Sequence, residues 1–457
     1  MQFVPVELYQ LVSNLLNTKS KITMTMISRL LYHNIYILGI KGKISDEVLA
    51  QKKFRNLIEL DCNRKIDLYI FLHSTHRNIS QKTIIGLNLV KLCVCNFSTI
   101  NDVSHMNNLK VLNANGNCSI DQKGIMNLDL IKLYINYNKK IYDVSHMTNL
   151  KVLDVSYYCG VGQDGIKNLN LVKLNADNNK NIYDIGYMTN LKKLSARDNS
   201  NIGQDSIKKL DLIVLDVSNN AKITHLSHMA NLKILNASGG CGITQSSIQN
   251  LNLLALYISN NRNITDVSHM SNLRILDISC YMSGYCGVDQ YGIKNLDLLE
   301  LNVNRNKNIT DISHMSNLKK LSAASGYSYE LCGITQTSIQ NLNLIELNIY
   351  NNHNINNISH MSNLQYLNIG YQCGINQAGI QNLLLKSLDA HDNERITDLS
   401  FMTTLEKLNI GGKCGVAEAG LRGLSLKKLD ADNNAKIVNV DFMTTLKKIN
   451  IPCEQVD

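Results

Sequence analysis

The chain is 457 residues long, 44% hydrophobic and 18% charged, with two prolines, no tryptophan and a formal charge of +9. That apolar content excludes wholesale disorder, and so mild a positive balance does not by itself mark a nucleic-acid binder, whose basic residues must gather on one face. No run approaches the roughly 18 apolar residues of a membrane span, and Glu7 interrupts the first apolar stretch with no basic segment before it, so no secretory signal is expected.

Residues 4–38 predict two helices. Val4-Pro5-Val6-Glu7-Leu8 opens the first, with proline where its missing N–H costs little, and Leu8, Leu11, Val12, Leu15 and Leu16 recur at helical spacing. Ile22, Met26, Ile27, Leu30 and Leu31 mark the second. Such helices can simply cap and shield whatever follows.

From Leu57 onward the chain repeats itself. Leu57, Leu60 and Cys62 match a strand, and Ile79 to Leu87 a turn and helix; an insertion of eleven residues then delays Leu89. Leu109, Leu150, Leu191, Leu232 and Leu273 are each 41 residues apart, continuing through Leu318, Leu364, Leu405 and Leu446. A second series, Leu89, Leu130, Leu171, Leu212, Leu253, Leu298, Leu344, Leu385 and Leu426, runs between them, so each 41-residue unit is a long repeat of 21 residues and a short one of 20. Short repeats read Leu130, Leu133, Ile135, Asn138: alternating apolar positions of a strand with one face inward, then an Asn that recurs at 179, 220, 261, 306, 352, 393 and 434. Where the chain turns away from the strand, buried backbone groups need partners, and an Asn column can supply them.

The frame L-x-x-L-x-L at this period belongs to the leucine-rich repeat. The short repeat, as in Ile264 to Leu273, resembles those of the internalin type. The long one, as in Cys241 to Leu251, resembles the cysteine-containing repeats of F-box proteins, although its Cys falls one position later. A helix of two turns is expected between Gln245 and Leu251. The fold expected is an α/β leucine-rich-repeat solenoid, a horseshoe of about nineteen repeats over residues 46–457, the last cut short near Pro452. With rungs about 4.8 Å apart, its strand-lined arc would be on the order of 90 Å long.

Chemistry is sparse along this frame. Cys118, Cys159, Cys241, Cys286, Cys332, Cys373 and Cys414 form one column. Its members lie two rungs or roughly 9.6 Å apart, beyond the ~7 Å Cα limit of a disulfide. No C-x-x-C occurs, so buried free thiols and a cytosolic or nuclear compartment are expected. His105, His146, His228, His269, His314 and His360 follow Ser in Ser-His-Met triplets, again too far apart to share a metal. Tyr187, Phe401 and Phe442 fill the same position elsewhere, which predicts a packing position with a polar tip. Lys91, Lys132 and Lys173, with Lys110, Lys151, Lys192, Lys233 and Lys319, are expected along the flank; the Asp and Asn residues between them, such as Asp154 and Asp216, argue against nucleic acid. No phosphate loop, metal-ligand spacing or nucleophile elbow appears, so neither an enzyme nor a cofactor is expected.

Departures from the repeat are more informative. Insertions at Asp67 to Arg77, Cys280 to Tyr285 and Ser325 to Leu331 occupy equivalent repeat positions and should emerge on one edge. Tyr281, Met282, Tyr285, Tyr327 and Tyr329 are residue types common in contact hot spots, and insertions on one face often mark the binding face. A tolerated loop is the competing reading.

Residues 1–45 resemble an F-box. The match is Pro5, Glu7, Leu8, the Leu11 to Leu16 run and Ile27-Ser28-Arg29, with Val4 where the family has Leu and no Trp in the chain. The resemblance implies a substrate receptor of a cullin–RING ubiquitin ligase. In it Pro5, Leu8, Leu11 and Leu15 would dock a Skp-type adaptor, and the repeats would hold a protein target near the conjugating enzyme, where tethering raises effective concentration. Similar proteins occur in large DNA viruses of amoebae. The alternative is a free-standing interaction scaffold with a helical cap.

Overall fold

The computed structural model describes residues 39–41, 59–61, 80–85, 87, 89–281, 286–326 and 331–450. The chain divides into two compact units, 1–216 and 217–457. Among the described residues unit 1 carries nine three-residue strands, β1 (Gly39–Lys41) to β9 (Val214–Asp216), and unit 2 eleven, β10 (Ile234–Asn236) to β20 (Lys448–Asn450). Within each unit every strand pairs in parallel with the next in sequence, and homologous residues are in register: Leu133 faces Leu153, Leu153 faces Leu174, and Leu301 faces Leu321. The twenty strands exceed the expected nineteen repeats by β1, which pairs with Glu59–Asp61.

Most of the described strands alternate. In Lys132–Tyr134 the first residue is exposed, Leu133 is buried and the third is half-buried. The central Leu, the Leu three residues before it and the apolar residue two after it close the core; Leu130, Leu133 and Ile135 are all fully buried. A buried leucine stabilises by about 1.5–3 kcal/mol, but only when the neighbouring rung covers it, so stability is a nearest-neighbour property. The remainder of each repeat is turns with little helix. The long-repeat helix is one turn, not two: Gln245–Ile248 spans four residues, because Leu251 and Leu253 must both re-enter the core.

Two side-chain columns join each long repeat to the short repeat after it. The Asn column is buried, as expected. Asn138 donates to the Ala114 and Ile120 carbonyls at 3.1 Å and accepts from the Lys140 N–H at 2.9 Å. Asn352 does the same with Ala323, Ile334 and Asn354. The second column, Gln at the start of the helical turn, reaches forward. Gln122 donates to the Asp143 carbonyl at 2.7 Å while its Oε1 accepts from the Tyr142 and Asp143 N–H groups. Gln163, Gln245, Gln290, Gln336 and Gln377 repeat the donation. Glu418 takes the last place and accepts from Val438 and Asn439; those backbone bonds hold its carboxyl below the usual range.

The reverse junction, short repeat to long, is a close backbone approach. The Cys-Gly pair explains itself here: a Cβ on Gly160 would sit 2.6 Å from the Ile141 and Lys139 carbonyl oxygens. At the third helical position Ser247 and Ser338 donate to the Thr224 and Thr310 carbonyls, 2.5 and 2.6 Å away.

Three expectations are corrected. Cys118, Cys159, Cys241, Cys332, Cys373 and Cys414 are buried free thiols, and burial pushes Cys332 up to about 12. Cys286, however, is disulfide-bonded to Cys280, with Cα atoms 5.8 Å apart; its partner is a loop residue, not a column neighbour. The Ser-His-Met histidines are exposed, not packed, because the flanking apolar residues, such as Val103 and Met106 around His105, take the core. Rings at this position reach the preceding helical turn instead: Tyr187 Oη donates to the Ile166 carbonyl at 2.9 Å. Lys91, Lys132 and Lys173 lie on the sheet face itself, as first residues of their strands, and not on a flank. Among the described residues no helix is long and apolar enough to cross a membrane, and no three His, Cys, Asp or Glu side chains group to hold a metal ion.

Candidate binding face

The face of each sheet that the leucines leave open is built from the first and third strand residues and the residue two beyond. Its backbone is fixed locally. In most rungs the third residue is Asn or Asp whose side-chain oxygen accepts the N–H two residues on, as in Asn113 to Asn115, Asp154 to Ser156 and Asn302 to Asn304. One residue further the chain adopts a left-handed conformation, borne by Asn96, Tyr137, Tyr157, Asp198, Arg305 and Tyr371 as well as by Gly116, Gly239 and Gly412. Asn and Asp tolerate that region; tyrosine there is unusual and spends local backbone energy on placing a ring.

In unit 1 two such tyrosines meet. Tyr137 and Tyr157 stack with centroids 4.8 Å apart and planes 6° from parallel, and Tyr158 lies against Tyr137 at 6.2 Å. Lys139 Nζ stands 5.7 Å over the Tyr158 ring. Tyr137 and Tyr158 remain 45% and 64% exposed, so the patch is presented to solvent. Along the strands beside it Lys132, Lys173 and Lys193 share one row of the face with Val152 between them. The next row is Tyr134, Asp154, Asn175, Ser195 and Asp216. Two residues beyond Asn175, Asp177 is buried, accepts from Ser195 Oγ at 2.6 Å and the Arg197 N–H at 2.9 Å, and burial pushes its carboxyl up.

In unit 2 the same turns carry a different set. Tyr350 stacks on Tyr371 at 5.9 Å and on His391 at 5.5 Å. His391 Nδ1 lies 2.8 Å from Asp389 Oδ1, and that hydrogen bond raises the imidazole above the ordinary histidine value against the opposing effect of burial. Nearer β10 a shallow groove of about 340 Å³ opens on the face, lined by Tyr257, Asp277, Glu300, Lys320 and Glu346, with Lys320 bound to Glu300 at 2.9 Å.

Of the expected contact residues, Tyr281 is half exposed, four residues after Asp277 ends its strand. Its N–H donates to Asn260 Oδ1 at 2.7 Å, and Arg305 lies 5.8 Å over its ring. Met282, Tyr285, Tyr327 and Tyr329 lie outside the described residues, as do Pro5, Leu8, Leu11 and Leu15.

Among solved structures, the chain is similar to the receptor TLR13 in its complex with the single-stranded RNA ssRNA13, with a TM-score of 0.55. The fold is that of the leucine-rich-repeat proteins. That likeness has 19% identity, covers 90% of this chain and spans 65% of the receptor chain's length. An internalin, InlF of Listeria monocytogenes, is similar at 18% identity over 82% of this chain and 88% of its own, with a TM-score of 0.32. Mouse RP105, solved in complex with MD-1, is similar at 14% over 92% and 79%, with a TM-score of 0.43. No protein-family model and no curated protein matches the chain in sequence.

The leucine-rich-repeat frame explains why the tyrosine patch escaped the sequence. Tyr137 and Tyr157 sit in different repeats, and only the register of Tyr134 against Asp154 brings their turns together. The available signal was the aromatic residue at the left-handed position, where most repeats have Asn, Asp or Gly.

Proposed function

We propose that this chain is a non-catalytic scaffold that binds a protein partner on its open sheet face, anchored on Tyr137, Tyr157 and Tyr158. The observation that carries the reading is a stacked, solvent-presented aromatic patch on a rigid turn, beside a row of lysines. Large pre-ordered rings and adjacent charge are what interface hot spots are made of. A protein suits this face better than a nucleic acid, because Asp154 and Asp216, in the row adjoining the lysines, would repel a phosphate backbone.

The finer reading is a cullin–RING substrate receptor acting in the cytosol or nucleus. It rests on the F-box resemblance of the N-terminal segment, with Pro5, Leu8, Leu11 and Leu15 as adaptor contacts and Tyr281, Met282, Tyr285, Tyr327 and Tyr329 as further target contacts. Co-purification with a Skp-type adaptor tests it. Adaptor recovered with the full chain and lost from a Pro5→Ala/Leu8→Ala variant supports the receptor reading. Failure to recover adaptor with the full chain leaves a free-standing scaffold. The scaffold reading is tested separately, by whether a protein captured by the full chain is lost when Tyr137 and Tyr157 are both replaced by alanine.

A further inference from the structure

Cys93 and Cys95 stand apart from every other described cysteine. Cys93 ends β3 (Lys91–Cys93) and Cys95 lies in the turn after it, both half-exposed and neither disulfide-bonded. Their sulfurs are 3.4 Å apart, and Cys95 Sγ lies 2.8 Å from Asn113 Oδ1 on the adjacent rung. At the third strand position most rungs place an Asn or Asp oxygen that closes the following turn; here a sulfur stands instead, facing a second sulfur. Among the described residues the remaining unbridged cysteines are buried, and a sulfur away from solvent meets neither oxidant nor partner.

We propose that Cys93 and Cys95 form a dithiol site that reacts with small disulfides of the oxidised-glutathione class and closes to an intrachain disulfide. Cys93 ends its strand and Cys95 opens the turn two residues on, and with their sulfurs 3.4 Å apart only a small movement separates the pair from a disulfide's ~2.0 Å bond. Either thiolate can open the exchange, since it is symmetrical in its products; it is written here from Cys93. In the first step Cys93 Sγ attacks one sulfur of the small disulfide. A mixed disulfide forms, the small S–S bond breaks, and the departing thiolate takes a proton from solvent. In the second step Cys95, its proton given to solvent, attacks Cys93 Sγ. The Cys93–Cys95 bond forms and the second small thiol leaves. The two cysteines lose two electrons and two protons, and the small disulfide gains them.

The test is incubation of the folded full chain with oxidised glutathione, followed by alkylation of remaining thiols and peptide mass spectrometry. The expected wild-type result is a peptide spanning residues 93 and 95 that has lost two hydrogens, carries no alkyl group or glutathione, and is restored by dithiothreitol. Cys95→Ser should instead stop at a glutathione adduct on Cys93. Two alkylated cysteines in the treated wild type, or a wild-type adduct that persists without closing, overturns the proposal; the wild-type measurement decides alone if the variant does not fold.

Discussion

The Tyr137–Tyr157 stack of unit 1 and the Tyr350–Tyr371–His391 stack of unit 2 occupy neighbouring positions of the same repeat turn and differ in what holds them. The first is two phenols at left-handed residues, with Tyr158 and Lys139 alongside, and contains no histidine. The second contains an imidazole tied to Asp389. Beneath both, the Asn and Gln columns and the leucine core are the same. The rungs thus separate two tasks: invariant positions fix geometry, and the face varies without disturbing it.

If that separation is real, the largest effect should be equal in the two units. Asn179→Ala and Asn352→Ala each remove hydrogen bonds to two buried carbonyls. Each should lose about 2–4 kcal/mol in urea unfolding, from the unsatisfied groups left behind. A loss confined to one unit breaks the equivalence. Next come the faces: Tyr157→Ala should weaken binding of a captured partner by about 30-fold, the scale of a ~2 kcal/mol hot spot. Tyr371→Ala should leave that partner's affinity within threefold, as titration calorimetry would read; equal losses would mean that the two patches bind together.

Gln163→Glu and Gln377→Glu keep the acceptor of the forward clamp and delete its donor, as Glu418 does naturally. About 1 kcal/mol should be lost in each case, seen as faster hydrogen exchange in the following turn. Smallest is the pH effect. Because His391 is raised by Asp389, the stability it contributes is fully present below the ordinary histidine pKa and is lost as pH rises through its own higher value. The pair is partly exposed, so the change should stay below ~1 kcal/mol. His391→Gln should remove it from a pH series of thermal midpoints, and no counterpart is expected in unit 1.

The leucine period and the Asn column were legible in the sequence because each requires one residue type at one spacing, and burial enforces both. The Gln column was equally periodic, from Gln122 through Gln377, yet its role depends on the turn of the next rung lying opposite, which spacing alone does not disclose. The histidine position misled because its aromatic occupants suggested burial; an amphipathic ring covering a carbonyl at the surface gives the same composition. The tyrosine patch was illegible for another reason: it is a relation between two repeats, and a reading that aligns repeats looks for sameness. Cys286 shows the converse error, since comparing column members with one another left out the loop residue Cys280.

The direction of the polar clamps has a consequence for ancestry. Asn138 reaches back 24 and 18 residues, and Gln122 reaches forward 21; both fasten a long repeat to the short repeat after it. A lone repeat gained or lost would leave one clamp grasping the wrong turn. A 41-residue pair carries both halves of its fastening, so a gene encoding this chain can lengthen or shorten by whole pairs through unequal recombination, and each product still folds rung upon rung.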